Sequence, residues 1–273
     1  MTTRRRFLVL LVVLAAFTGS ATAHEMRVLV TRPVVQPGMK TVCFLSWGHL
    51  LPVDELTNAD DLESYDLHKP GGERVRLEAS GRSLQEHEIA IERPGVSQIV
   101  AARKSASFTT YTDAEGKTRF MRGDKKSATL PSGAKPKSTS RFQAYSKAIV
   151  ISGKPDPGVK FTPIGHDLEL QPVESPGANG YPIGKPVRVR VLRNGLPVPG
   201  VTVSAASTTL NPDGGASTKA DSGADGVVEL ELDEPGTWIL SASHSQAAPA
   251  EMKSYVDEIS LTATLAIPVA TEK

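Results

Sequence analysis

Alternating apolar and polar positions recur along most of the chain and predict short β-strands rather than helices. Clear examples are MRVLVT (26–31) and TVCFLSWGH (41–49), and Pro-Gly, Asn-Gly or Asp-Gly pairs separate many of the later strands. Strand signals return about every 10 residues, the rhythm of an antiparallel sandwich. We therefore predict an all-β fold of two antiparallel β-sandwich modules, of immunoglobulin-like or transthyretin-like type, covering residues 24–158 and 159–273.

Two interruptions of this strand pattern are predicted. The stretch NADDLESY (58–65) favours a single helical turn. Residues 122–140, RGDKKSATLPSGAKPKSTS, are polar, basic and poor in large apolar groups. Such a segment buries too little surface to offset its ordering entropy, so we predict a mobile loop there.

The first 23 residues have the pattern of an export signal. Three arginines at positions 4–6 precede the apolar run FLVLLVVLAAF (7–17), which is too short to cross a bilayer, and Ala21-Thr22-Ala23 suits signal peptidase. The sequence TRRRFL also matches the twin-arginine motif, but the strongly apolar run favours the general secretory route. Because no second long apolar run follows, we expect a soluble periplasmic chain that begins at His24.

The amino-acid composition limits the classes of partner that we expect. The chain has 31 basic and 30 acidic residues, a balance that does not favour a nucleic-acid or anionic-membrane partner. The single cysteine, Cys43, cannot form an internal disulfide, and its apolar strand indicates a buried core thiol.

Six histidines are the main candidates for chemistry. No H-x-x-x-H, C-x-x-C, H-E-x-x-H or G-x-S-x-G motif is present, so no enzyme class is favoured. His24 is special because cleavage after Ala23 would give it a free α-amine, which chelates a metal together with the imidazole Nδ1. Nitrogen donors in this arrangement suit copper(II) or nickel(II).

The other histidines differ in their sequence context. Gly48-His49 ends a predicted strand beside Trp47, and His244 ends the strand TWILSASH, where loops gather. We predict a metal site of His24 and His49, with His244 as a further ligand. His68, His87 and His166 lie among polar residues; we expect them at the surface, with His87 and His166 as reserve ligands.

Several stretches resemble the DUF4198 family, which is similar to the periplasmic nickel/cobalt uptake component NikM. The resemblance rests on the N-terminal histidine after the signal and on WGHLLPVDEL, SKAIVISG, GHDLELQPVESP and the region from GKPVRVRVLRNG to GTWILSASH. The family's histidines map onto His24, His49 and His244. The G-x-P-V-x-G-x-x-V element also resembles carboxypeptidase-regulatory-like sandwiches, which indicates a fold and not a function.

This resemblance implies that the chain captures or delivers nickel or cobalt, with a membrane metal transporter as partner; copper is a further metal that the nitrogen donors suit. It departs from transporter-fused relatives because no membrane helix follows the signal. Two alternatives remain open at this level. One is a structural or ligand-binding module without metal; the other is a copper-dependent oxidative enzyme, which the few scattered aromatic residues do not favour.

Overall fold

The computed structural model describes residues 24–158 and 160–271, so the predicted signal peptide lies outside the described residues. Within the described ranges the regular elements are β-strands and two 3₁₀ turns, Ala59–Asp61 and Ala250–Met252. The strands are β1 Glu25–Val30, β2 Val34–Val35, β3 Met39–Gly48, β4 Thr57–Asn58, β5 Leu62–His68, β6 Arg74–Arg76, β7 Arg82–Ser83, β8 His87–Ile91, β9 Gly95–Arg103, β10 Ala106–Thr112, β11 Thr118–Arg122, β12 Lys135–Ser152, β13 Leu168–Pro172, β14 Tyr181–Pro182, β15 Val187–Arg193, β16 Leu196–Pro197, β17 Thr202–Ser207, β18 Thr218–Asp221, β19 Val227–Leu230, β20 Gly236–Ala247 and β21 Glu258–Ala270.

A twelve-stranded sheet organises the molecule. Its main path runs in the order β18-β17-β20-β21-β12-β9-β5-β6, and the β10–β11 hairpin, β2 and β14 join beside this path. The 18-residue strand β12 is the centre, because it pairs with β10 and β9 along one side and with β21 along the other. The β12–β21 pairing is parallel, a feature that the predicted antiparallel pattern did not include.

Two smaller sheets cover opposite faces of this large sheet. Side chains alternate along β12: Ala144, Ala148 and Val150 enter a core with the sheet β1-β3-β8. Tyr145 and Ile149 enter a second core with the sheet of β13, β15, β16 and β19. Because successive strand residues point to opposite faces, one strand contributes to both cores. The all-β, sheet-on-sheet prediction is confirmed.

The proposed boundary between residues 158 and 159 stays a prediction about independent folding. Strands from both sides of it belong to one sheet, since β12 and β21 pair over Ser140–Ala148 and Glu258–Ala266. The predicted helical turn corresponds to the 3₁₀ turn Ala59–Asp61, where the Asn58 side chain accepts a hydrogen bond from the Asp60 amide at 3.2 Å.

The segment 122–140, predicted as a mobile loop, is a β-strand in its second part. Residues from Lys135 onward belong to β12, and they are ordered by pairing with β10 despite their low apolar content. Thr139 is buried there, and its hydroxyl lies 3.2 Å from that of Thr109. In the first part, the Asp124 carboxylate accepts hydrogen bonds from the Ser127 amide and hydroxyl, which closes a local turn. Backbone hydrogen bonds between strands thus order this segment, although its side chains bury little apolar surface.

Candidate metal site

His24 and His49 lie side by side because of the register of β1 and β3. Glu25 is paired with Gly48, so one residue further out His24 faces His49. Their imidazole centroids are 4.2 Å apart with the ring planes tilted by 58°. Two of the three predicted ligands are therefore brought together, at the end of the small sheet and near the surface.

Glu55 contacts the imidazole of His24 on one nitrogen. The Nε2 atom lies 3.3 Å from the Glu55 carboxylate, and both side chains are a little under half exposed, at 43% and 45%. Glu55 is fixed opposite Trp47 by two backbone hydrogen bonds, of 3.2 and 2.8 Å. A carboxylate on Nε2 favours the tautomer with hydrogen on that atom, which places the lone pair on Nδ1. Nδ1 is the ring nitrogen that forms a chelate with the α-amine.

The backbone after His49 is held by Asp54. Its Oδ2 accepts hydrogen bonds from the amides of His49 and Leu50, at 2.6 and 3.0 Å. These two bonds are the main reason that the pKa of Asp54 lies below its usual value. Gly48 has φ +124°, and a side chain there would overlap Asp54, so only glycine fits this turn. The loop is therefore preformed by the sequence around His49.

Arg27 holds the same loop through hydrogen bonds to its backbone. This arginine is only 4% exposed and donates to the carbonyl oxygens of His49 and Leu50, at 3.2 and 3.1 Å. Its charge is balanced by the Glu25 carboxylate at 3.2 Å. On the other side Gly214 packs so closely on the His49 carbonyl that a Cβ would overlap the oxygen. The buried Arg27 guanidinium, paired with a partly exposed carboxylate, therefore fixes the position of the His49 backbone.

Trp47 forms an aromatic wall beside His24. Its ring is stacked on that of His24 at 5.8 Å. The Arg103 guanidinium lies 4.1 Å from the Trp47 ring centroid. The Phe142 and Trp47 ring centroids are 6.2 Å apart in an edge-to-face arrangement. The Arg103 charge is in turn paired with Asp61 at 2.9 Å. These contacts limit the movement of the surface on which His24 rests.

His244 lies on the opposite face of the large sheet from His24 and His49, so the structure does not bring it to them. On β20 the alternate residues Trp238, Leu240 and Ala242 face the second core, and His244 follows in the same alternation. Ser241, by contrast, donates to Glu25 on the first face. Burial, with a smaller contribution from Arg193 of the other small sheet, lowers the pKa of His244. The large sheet thus separates His244 from His24.

The remaining histidines occupy other places. His87 is paired with Cys43, five residues along β3 from Gly48, and its ring lies 5.6 Å from that of Tyr65. His166 is 8% exposed rather than at the surface, and it stacks on Tyr145 at 4.7 Å. His68 lies on β5 beside a cavity. None of the three is placed at the His24–His49 pair, so the reserve ligands are not at this site.

The side chains present make an incomplete set of metal donors. Among the described residues, no group of three or more His, Cys, Asp or Glu side chains is arranged to hold a metal ion. The two imidazoles supply two nitrogens, and a free α-amine at His24 would supply a third. Sequence reasoning missed Glu55, Asp54 and Arg27; the first two stand in the WGHLLPVDEL stretch, but their roles depend on how the loop returns to Trp47.

A family model of unknown function, DUF4198, matches residues 21–246, and the chain belongs to that family. The comparison with curated proteins finds no match. No helix among the described residues is long and apolar enough to cross a membrane.

Two solved structures show weak likeness to the chain. The D0-D1 domain of intimin is 11% identical, with 89% of this chain and 98% of that chain covered and a TM-score of 0.20. The three N-terminal domains of the bacteriophage RB49 highly immunogenic outer capsid protein (Hoc) are 8% identical, with 92% and 100% covered and a TM-score of 0.18. At these TM-scores neither likeness bears on function.

Proposed function

We propose that this chain is a periplasmic protein that binds one divalent transition metal through the His24 α-amine, the His24 Nδ1 and the His49 imidazole. The proposal rests on one observation above all: His24 lies against His49 with its Nε2 at Glu55. That arrangement turns the chelating nitrogen of His24 away from the carboxylate contact. The metal is the cargo of the protein and not a cofactor.

The donor chemistry supports binding at neutral pH. An α-amine has a reference pKa of about 7.7–8.0, so its deprotonation costs little near pH 7. Imidazole and amine nitrogens suit nickel, cobalt and copper better than hard cations. Glu55 acts as a positioning residue, because a carboxylate on the outer nitrogen of a ligating histidine fixes the ring and raises its basicity.

The proposed cellular role is supported by the export signal and the family resemblance. The Ala21-Thr22-Ala23 cleavage signal supports periplasmic release with His24 as the first residue. The resemblance to NikM supports nickel or cobalt as cargo and a membrane metal transporter as recipient. Copper is the third metal that the nitrogen donors favour.

The test begins with the exported protein itself. Intact mass should correspond to residues 24–273, and metal analysis of protein isolated from the periplasm should find about one equivalent of one metal. Isothermal titration with Ni(II), Co(II) and Cu(II) should show one site. A mature chain that starts elsewhere, or no metal binding at all, would contradict the proposal and leave a metal-free binding module.

Two alanine variants locate the site. His49→Ala should weaken metal binding, whereas His68→Ala, a histidine on another strand, should leave it unchanged. Equal affinity of the His49→Ala protein and the native protein would remove His49 from the site. A reductant-dependent formation of hydrogen peroxide by the copper-loaded protein would instead favour the oxidative enzyme.

A further inference from the structure

A polar cavity lies on the second-core face of the large sheet, away from the His24–His49 pair. Its volume is about 460 Å³, and its walls include β5, β6, β9 and the segment 160–164. This volume is within the range of small-molecule pockets, roughly 300–1,000 Å³. The space is large enough for a small organic molecule.

A row of polar side chains is set across the strands at this cavity. Arg74 is paired with His68, and His68 with Gln98, so all three project from the same face of the sheet. The next member of the row is Ile149, which belongs to the second core. Polar residues replace apolar ones where the covering sheet ends, so the row faces the cavity instead of a packed core.

The charge of the cavity is predominantly positive. Lys69, Arg74, Lys154 and Lys160 line it, whereas Asp156 is the one carboxylate among the described lining residues. Lys69 is neutralised by Glu73 at 2.9 Å. Three cationic side chains therefore remain against one acid, and positive charge in a concave site attracts anions.

The cavity segment that contains Ile164 is held by a buried ion pair. Lys147 and Glu169 are 2% and 1% exposed and 2.7 Å apart. The Glu169 carboxylate also accepts hydrogen bonds from the Ile164 amide, at 3.0 Å to each oxygen, and Ile164 lines the cavity. The cavity wall is thus preformed, which reduces the entropic cost of binding a ligand.

We propose that this cavity binds a small organic molecule through a carboxylate or phosphate group, with Arg74 as the principal anion contact. A guanidinium matches both groups with two parallel hydrogen bonds. Lys154 and Lys160 add charge at the cavity, and Phe161 and Val96 offer apolar surface for the carbon part of the ligand. His68 and Gln98 supply polar contacts beside Arg74.

Isothermal titration of the full chain at low chloride tests this site. Citrate probes the carboxylate class, glycerol 3-phosphate the phosphate class, and glycerol serves as the neutral control. We expect one of the two anions to bind and glycerol not to bind. Arg74→Ala should weaken that binding by about tenfold or more, as expected for loss of a charged hydrogen-bond donor. Arg119→Ala, an exposed arginine on β11, is the matched control and should have no effect.

Each outcome decides the proposal. Binding of citrate alone assigns a carboxylate ligand, and binding of glycerol 3-phosphate alone assigns a phosphate ligand. Binding of neither anion, or equal affinity of the Arg74→Ala and native proteins, overturns the site. The result is independent of the metal proposal, because His68→Ala should impair anion binding and spare the metal, whereas His49→Ala should do the reverse.

Discussion

Acidification should destabilise this protein through one buried histidine, His166. The ring is stacked on Tyr145 and is 8% exposed. Burial, followed by repulsion from Lys147, lowers the pKa of His166 from 6.5 to about 4 in the folded state, although Glu169 opposes the shift. In the unfolded chain the ring takes up a proton near its ordinary pKa of 6.5, so unfolding becomes favoured as the pH falls below that value.

The size of this effect follows from the two pKa values. The contribution of the neutral His166 ring to the free energy of unfolding is fully present above about pH 6.5 and is lost as the pH falls towards about 4. The full difference corresponds to about 3 kcal/mol, of which about 2 kcal/mol is lost between about pH 7 and about pH 4.5. Urea unfolding of the native protein and of His166→Gln at these two pH values measures it.

The comparison of the two proteins isolates His166 from the other titrating groups. Carboxylates lose their charge in both proteins, so their contributions cancel in the difference. His166→Gln should therefore lose about 2 kcal/mol less stability on acidification than the native protein. An equal loss in the two proteins would refute the argument that His166 is neutral because it is buried beside Lys147.

Two further predictions concern the buried ion pair and the loop of His49. Lys147→Met should lower the free energy of unfolding by about 3–5 kcal/mol in urea unfolding, because it leaves the Glu169 carboxylate buried without its partner. Adding Glu169→Leu to this variant should recover part of the lost stability. No recovery would argue against an ion-pair effect. Gly214→Ala should weaken metal binding because the new methyl group displaces the His49 carbonyl, whereas Gly184→Ala, at a similar positive φ with nothing within 4 Å, should cost stability alone. Equal metal affinity of these two glycine variants would show that the loop position does not matter.

The His24–His49 contact is the part of the site that follows from sequence. The strands 26–31 and 41–49 are predicted by alternation, and in the structure they pair as neighbouring antiparallel strands. Such a pair brings the start of its first strand beside the end of its second, so the two histidines meet. The structure has this register, with Glu25 paired with Gly48.

The position of His244 could not be obtained in the same way. The strand that contains it was predicted, but alternation alone does not say which small sheet covers which face. That assignment depends on the pairing of β12 with β21, which joins segments more than 100 residues apart in the chain. Local pattern therefore predicted strands and their faces, and left the arrangement of the sheets undetermined.

The buried Lys147–Glu169 ion pair could not be predicted from the sequence for a related reason. Lys147 stands in SKAIVISG and Glu169 in HDLELQPV, stretches rich in strand-forming residues, where a charged residue is normally expected to face solvent. Because the large sheet is covered on both faces, such positions are buried instead, and the charges pair with each other.

The most direct test of the metal site compares two forms of the protein that differ by one residue. One form begins at His24, and the other carries a single additional glycine ahead of it; both should give the same circular dichroism spectrum. We predict that the added residue weakens cobalt binding by at least about tenfold in isothermal titration at about pH 7, because it converts the chelating amine into an amide nitrogen, which cobalt(II) does not deprotonate at that pH. Equal affinity of the two forms would contradict the chelate and reduce His24 to an ordinary residue at the start of a strand.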